Sequence, residues 1–114
     1  MLIQALLAAA EKIVAGDVKP RAYARLVPER MDDLAWENDK VAFRVYGPAL
    51  RDGPEDSGID AWCKRVSRPV LDKWYDQDRT AGLSYHKDHG EGLDDYHVGD
   101  TRGCGGLGLW IGDK

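Results

Sequence analysis

The residues best suited to chemistry are three histidines that fall in one short segment. The segment runs from Ser84 to His97, reads SYHKDHGEGLDDYH, and sets four carboxylates among the imidazoles. Its two glycines disfavour a regular helix or a central strand, so we expect a loop that presents its side chains. A histidine changes charge near neutral pH, and beside a carboxylate it can act as a general base or acid. The candidate catalytic residues are His86, His89, Glu91 and Asp94.

The same segment also supports two other interpretations. His86, His89 and Asp94 are candidate ligands of a divalent metal, because imidazole nitrogens and carboxylate oxygens bind such ions. An HxxH pair in a loop is a weaker signal than HExxH on a helix, so no cofactor is certain. The third interpretation is a hydrogen-bonded turn without chemistry. The sequence leaves all three open.

A second group of candidates lies on two segments with a period of two. Val41 to Tyr46 and Ile59 to Lys64 alternate in character, which predicts two neighbouring antiparallel strands. One face of this pair would carry Arg44, Tyr46, Asp60, Trp62 and Lys64. An aromatic platform, a carboxylate and two cations match an acidic sugar, whose carboxylate an arginine can bind with two hydrogen bonds. The alternative is a face of solvated cross-strand pairs.

An acidic segment upstream adds further candidates. Five carboxylates lie between Glu29 and Asp39, and they repel one another unless a cation or a polar ligand neutralises them. Their spacing is not that of an EF-hand calcium loop, and an exposed acidic turn is the alternative. The additional candidates for substrate binding are Trp36, Glu37 and Asn38 from this segment and Tyr85 from the histidine segment.

The remaining elements indicate what would position these residues. Leu2 to Val14 is rich in leucine and alanine and predicts a short N-terminal helix. Its apolar positions cover most of the circumference, so we expect a buried helix, with a mistaken strand as the alternative. Arg21 to Pro28 is extended in character, and Val70 to Tyr75 is either a helical turn or a strand. His97 to Val98 and Leu107 to Ile111 are predicted as later strands. Short alternating runs and thirteen glycines predict a mainly β chain, an antiparallel β-sandwich. The last strand resembles a hairpin arm without its partner, so we expect an oligomer or the rest of a longer protein to cover that edge.

Composition narrows the class of protein. The 114 residues correspond to about one domain, with 43% hydrophobic and 32% charged residues. A net charge of −4 without a concentrated basic face argues against nucleic acid as a partner. The longest uncharged apolar stretch, Met1 to Ala10, is too short to span a bilayer and lacks the features of a secretory signal. Cys63 and Cys104 fit neither a zinc ribbon nor a redox motif, and a disulfide between them is open.

Four blocks resemble a family. Pro28 to Leu50, Ser57 to Arg65, Lys73 to Tyr75 and Tyr85 to Gly99 resemble signature blocks of an uncharacterised bacterial domain-of-unknown-function family. Its members are typically encoded in polysaccharide-utilisation gene clusters and are considerably longer than this chain. The resemblance, which starts near Arg21, implies a galactose mutarotase-like or related β-sandwich and an exported or periplasmic location. It also implies that the N-terminal stretch can be a strand in longer members, and it supplies no catalytic residue.

Together these observations give one expectation. Residues 1–20 form a poorly matched N-terminal segment, and residues 21–114 form part of a single β-sandwich domain truncated at its C-terminus. We expect a carbohydrate-active protein of polysaccharide catabolism that binds or processes uronate-containing oligosaccharides. A histidine would be the base, Glu91 or Asp94 its partner, Arg44 and Lys64 would hold the substrate carboxylate, and Trp62 or Trp36 would stack on a ring. The alternatives are a non-catalytic carbohydrate-binding module and a sandwich braced by a structural metal.

Overall fold

The described part of the chain folds as one antiparallel sheet with a helix packed on it. The computed structural model describes residues 2–14, 21–53, 58–95, 97–106 and 111–112, with the backbone alone for 12–14. Its elements are α1 (Leu2–Val14), β1 (Ala22–Val27), β2 (Asp33–Asn38), β3 (Val41–Val45), β4 (Ile59–Lys64), α2 (Leu71–Ala81) and β5 (Gly92–Leu93). Short 3-10 turns at Pro28–Arg30 and Pro48–Leu50 follow β1 and β3. The predicted mainly β class is confirmed.

The sheet is a meander in which each strand pairs with the next along the chain, in the order β1-β2-β3-β4-β5. The turn between β2 and β3 is closed by Asn38, whose Oδ1 accepts hydrogen bonds from the amides of Lys40 and Val41. At the β4 and β5 pair, Gly92 has φ +119, and a Cβ there would lie 1.9 Å from the Cys63 carbonyl oxygen. A side chain is therefore incompatible with this close approach. The described residues form one sheet, so the expected sandwich stays a prediction.

The strand face that carries the polar candidates is the buried one. Ala42 and Arg44 on β3 and Asp60 and Trp62 on β4 are buried, whereas the alternate positions are half-buried or exposed. The shared orientation of these residues follows the predicted period of two. Helix α2 covers this face of the sheet, so Arg44, Asp60 and Trp62 do not form the open surface that binding of an acidic sugar there would need.

Helix α2 packs on the sheet and completes the core. Leu71, Trp74 and Tyr75 lie one turn apart on a single face and are buried. The Trp62 indole stacks against Trp74, with ring centroids 5.7 Å apart, and against Tyr85 at 4.9 Å. The helix ends at Gly82 in the left-handed conformation, φ +63. The ambiguity at residues 70–75 is thus resolved in favour of a helix.

Other expectations have mixed outcomes. The helix at Leu2–Val14 and the strand after Arg21 are confirmed. The helix is not buried as expected, because the side chains of residues 2–11 are exposed. The acidic segment is not an exposed turn, because most of it forms strand β2. His97 to Val98 is not a strand, and residues 107–110 lie outside the described residues. Cys63 and Cys104 are free thiols, and across the described ranges no helix is long and apolar enough to cross a membrane.

Candidate functional site

A buried arginine stands at the centre of the covered sheet face. The Arg44 side chain is 2% exposed, and its Nη2 donates to Asp60 Oδ2 at 2.5 Å and to Asp94 Oδ2 at 3.1 Å. Its Nη1 lies 4.0 Å from Asp33 Oδ2. The three aspartates are fully buried, and we call these four residues the arginine cluster. A buried guanidinium with several carboxylates holds separate strands together, because an unpaired charge in the interior is costly.

Aromatic rings surround this guanidinium. Its carbon lies 4.9 Å from the Tyr46 ring centroid, 5.0 Å from Trp62 and 5.5 Å from Tyr85. Trp62 Nε1 donates to Asp60 Oδ2 at 2.9 Å, and the Tyr85 hydroxyl accepts from Arg44 Nη1 at 3.1 Å. Among the described residues, Arg44 Nε and Asp60 Oδ1 find no hydrogen-bond partner. In this conformation Trp62, Arg44 and Asp60 contact one another and offer no surface to a ligand.

Burial sets the protonation of the groups beneath α2. Burial raises the pKa of Asp33, although Arg30 and the Gly47 amide act in the opposite direction. Burial also raises the pKa of Tyr75, so its hydroxyl stays protonated at neutral pH. The Tyr75 hydroxyl lies 3.5 Å from Asp33 Oδ2. The floor of this region therefore carries a phenol that can donate a hydrogen bond.

Glu37 caps the helix α2 from strand β2. Its Oε1 accepts from the amides of Val70 and Leu71 at 3.0 and 3.1 Å. Its Oε2 accepts from Lys64 Nζ at 2.6 Å, and that lysine also donates to the Asn38 carbonyl oxygen. Neither Glu37 nor Lys64 is open to solvent. Two residues expected to bind substrate thus fix the helix on the sheet.

His86 is held as an oriented imidazole at the edge of the arginine cluster. Its side chain is 31% exposed, and Nδ1 lies 3.1 Å from the Asp94 carbonyl oxygen and 3.4 Å from Asp94 Oδ2. A carbonyl oxygen only accepts, so His86 Nδ1 carries a proton and is the donor in this contact. The His86 ring contacts Tyr85 at 4.9 Å and His97 at 4.3 Å between centroids. This is the geometry of a general base backed by a buried carboxylate.

His89 and Glu91, the other catalytic candidates of the histidine segment, do not contact His86 or Asp94 through the hydrogen bonds and ion pairs of the described residues. His89 is exposed, and its Nε2 donates to the Ser84 carbonyl oxygen at 3.1 Å. Glu91 accepts from Lys73 and Trp74 Nε1 and pairs with Arg68. The hydrogen bond from Lys73 holds the Glu91 pKa below its ordinary value. The part of the chain that the structure describes contains no group of three ligands suited to a metal.

A depression of about 190 Å³ opens beside Tyr85, whose ring contacts that of His86. Two buried tyrosines belong to its lining and charged side chains complete it: Glu29, Arg30, Tyr75, Asp78, Arg79 and Tyr85. We call it the tyrosine depression. Tyr85 links the tyrosine depression to His86 and Arg44. Its ring lines the depression and contacts His86, and its hydroxyl accepts a hydrogen bond from Arg44. A larger groove of about 720 Å³ at the start of β1 and α2 contains none of the predicted site residues.

The sheet separates the predicted residues into two groups. Arg44, Tyr46, Asp60, Trp62, Tyr85, His86 and Asp94 come together on the α2 side. Trp36 lies on the opposite face, stacked on Phe43 at 5.4 Å. Sequence reasoning missed Arg30, Arg79 and Tyr75, which line the tyrosine depression. The i, i+4 spacing of Tyr75 and Arg79 on one helix was the signal available.

Comparisons with known proteins place the chain among similar sequences. A family model described as "Domain of unknown function (DUF4861)" matches residues 8–114. The chain is 52% identical over 97 residues to "Uncharacterized protein P7" of Formosa agariphila, and the match covers 78% of this chain and 25% of that protein. The chain thus spans about a quarter of the length of the curated relative it matches. No solved structure matches.

Proposed function

Because this chain belongs to the DUF4861 family, whose description assigns no activity, we propose its function from the site: it binds or processes acidic, uronate-containing oligosaccharides at the tyrosine depression. The resemblance to a family of polysaccharide-utilisation clusters motivates the further proposal of an exported role in polysaccharide catabolism. One observation carries the proposal. The tyrosine depression combines aromatic rings, two guanidinium groups and an adjacent oriented histidine.

The aromatic and cationic side chains of the tyrosine depression match parts of such a ligand, and the carboxylates Glu29 and Asp78 also line it. The largely buried rings of Tyr75 and Tyr85 form part of its wall, and the Tyr75 hydroxyl donates to Asp33 Oδ2. Arg79 is exposed, and within the described part of the chain it forms an ion pair with its neighbour Asp76 at 2.9 Å. Such a surface pair is weak and exchanges readily for a ligand carboxylate. The role first expected of Arg44 and Lys64 thus passes to Arg79, with Arg30 beside it.

His86 supplies the acid–base function of this proposal. Asp94 keeps the half-exposed ring oriented through Nδ1, and Nε2 forms no hydrogen bond with the residues that the structure describes. The ring nitrogen Nε2 of His89 instead donates to the Ser84 carbonyl oxygen, so in the described residues no carboxylate orients this ring. His86 is therefore the better candidate for a general base.

Binding without turnover is the alternative function, and one observation favours it. The carboxylates expected to act as proton donors, Glu91 and Asp94, are both held by cations. A carboxylate paired in this way stays ionised and is a poor general acid. His86→Gln distinguishes the two, because it removes turnover in an enzyme and leaves binding intact in either case.

The experiment is isothermal titration calorimetry with uronate oligomers and with neutral oligomers of equal length. We expect binding of the acidic series alone, and about tenfold weaker binding by Arg79→Gln, the effect of losing one charge-assisted hydrogen bond. Arg65→Gln is the matched control, because Arg65 is equally exposed and pairs with Asp88 away from the tyrosine depression. Equal binding of neutral and acidic oligomers, or no effect of Arg79→Gln, would contradict the proposal. Product analysis with wild type and His86→Gln completes the test.

A further inference from the structure

The sheet face opposite α2 is open and apolar, and we call it the apolar face. Leu26 on β1 is 66% exposed, and its cross-strand partner Leu34 on β2 is 43% exposed. Trp36 and Phe43 stack on the same face at 5.4 Å between ring centroids. Alternate positions on this side of β1 to β4 carry no charged residue. A continuous apolar patch of this kind marks a site of association.

Helix α1 carries a second open apolar surface, which we call the apolar stripe. Its members are 60% to 74% exposed and have the i, i+1, i+4, i+5 spacing of one helix side: Leu2, Ile3, Leu6 and Leu7. All side chains of residues 2–11 are exposed, so no described element packs against them. A helix of 13 residues on its own is marginal in water, so α1 needs a surface to pack on.

The apolar stripe and the apolar face match in size and chemistry. Helix α1 is about 20 Å long at 1.5 Å per residue, and four strands span about 15 Å between the outer two. One helix is enough to cover these strands, because the 11 residues of α2 cover their other side. The polar residues Gln4 and Glu11 lie on the side of α1 away from the apolar stripe and would stay in solvent.

The position of α1 points to a second copy of this chain as the partner. Strand β1 is the outer strand of the sheet and α1 precedes it, so the helix is tethered at an edge. The radius of gyration is 16.3 Å, against about 13 Å for a compact domain of this length, so the chain is extended. Exchange of an identical element between two copies is a low-cost route to a dimer. We propose that two chains exchange α1, each placing its apolar stripe on the apolar face of the other.

The exchange buries enough surface for a specific dimer. Each helix covers a footprint of about 20 Å by 10 Å, and a reciprocal exchange contains four such surfaces, two helices and two sheet faces. The flat total is roughly 800 Å², and interdigitating side chains raise it to the threshold of about 1,000 Å² for a specific interface. The proposal is independent of the proposed function, because the tyrosine depression is lined by α2 on the other side of the sheet.

Sedimentation equilibrium over a concentration series tests the exchange. We expect a dimer, and we expect Leu6→Glu to raise its dissociation constant at least about hundredfold, since each dimer would bury two unpaired charges. Ala8→Glu is the matched control, because Ala8 lies on the opposite side of α1 and the same charge there stays in solvent. A monomeric wild type, or a dimer that the two substitutions weaken equally, would overturn the proposal. Circular dichroism establishes that both variants are folded.

Cys63 identifies the covered surface independently of the substitutions on α1. It is exposed in the single chain and lies on the apolar face, where it pairs with Val41 across the strands. Cys104→Ser leaves Cys63 as the only thiol, and we expect a maleimide to label it at least about tenfold more slowly in the dimer than in the Leu6→Glu background. Cys63→Ser leaves the exposed Cys104, which should react equally in both.

The remaining outcomes of the labelling are also decisive. A dimer that leaves Cys63 reactive would place the interface elsewhere. A monomer that protects Cys63 would show that α1 covers the sheet of its own chain. Either result overturns the proposal.

Discussion

Replacement of Arg44 by methionine tests whether the polar sheet face is an interior. Arg44→Met keeps a long side chain of similar reach and removes the guanidinium that Asp60 and Asp94 share. The aspartates would remain fully buried without their cation. We expect a large and pH-dependent loss of stability.

The magnitude follows from two independent arguments. Removing one partner of a buried ion pair costs about 3–5 kcal/mol. The variant can limit this cost by protonating one aspartate. Keeping a carboxyl of ordinary pKa protonated at pH 7 costs about 4 kcal/mol. That second cost falls by about 1.4 kcal/mol for each pH unit, to about 1.5 kcal/mol at pH 5. In the variant, the protonated aspartate has a folded pKa above its unfolded value. The variant therefore loses stability as the pH rises.

Urea unfolding at pH 5, 6 and 7 measures this difference. With a typical slope for a small domain, a loss of about 4 kcal/mol lowers the urea midpoint by about 2 M. Arg65→Met is the control, because its partner Asp88 is at the surface, and we expect less than about 1 kcal/mol. A loss below about 1 kcal/mol for Arg44→Met, or one that does not change between pH 5 and 7, would refute a buried arginine cluster.

Two further stability predictions concern carboxylates at other positions. Glu37→Gln weakens the cap of α2 and leaves buried Lys64 without its anion, so we expect a loss of about 3 kcal/mol in urea unfolding. A loss no larger than that of Glu29→Gln, whose carboxylate is partly exposed, would contradict this role. Glu91→Gln should cost about 1 kcal/mol at pH 7, reduced because Lys73 is half exposed. Because the folded pKa of Glu91 is lowered, its ion pair contributes fully to stability above about pH 4.5. This contribution is lost as the pH falls through the folded pKa of Glu91. A difference from wild type that is constant down to pH 3 would exclude the ion pair.

The sequence predicted the period of the strands but not which face of the sheet is buried. The alternation on β3 and β4 correctly put Arg44, Asp60 and Trp62 on one side. It could not tell which side α2 would cover, because a charged residue is inside only if its partners come from distant segments. Asp94 is 50 residues from Arg44, and no local pattern announces that pairing.

The histidine segment shows the same limit. Composition and glycines correctly indicated a loop around His86 and His89. The choice between them depends on Asp94 turning its carbonyl oxygen and carboxylate towards His86, which is a property of backbone geometry. Tyr75 and Arg79 were missed because their helix was ambiguous from sequence, and only its packing brings them beside Tyr85.

The most direct test of the proposed site is an NMR titration of the ring signals of Tyr75, Tyr85 and His86 with a uronate oligomer. If the tyrosine depression holds an acidic sugar beside an oriented histidine, these signals shift together and saturate, and a neutral oligomer of equal length leaves them in place. Signals that stay unchanged with the uronate, or that respond equally to the neutral sugar, would contradict the assignment.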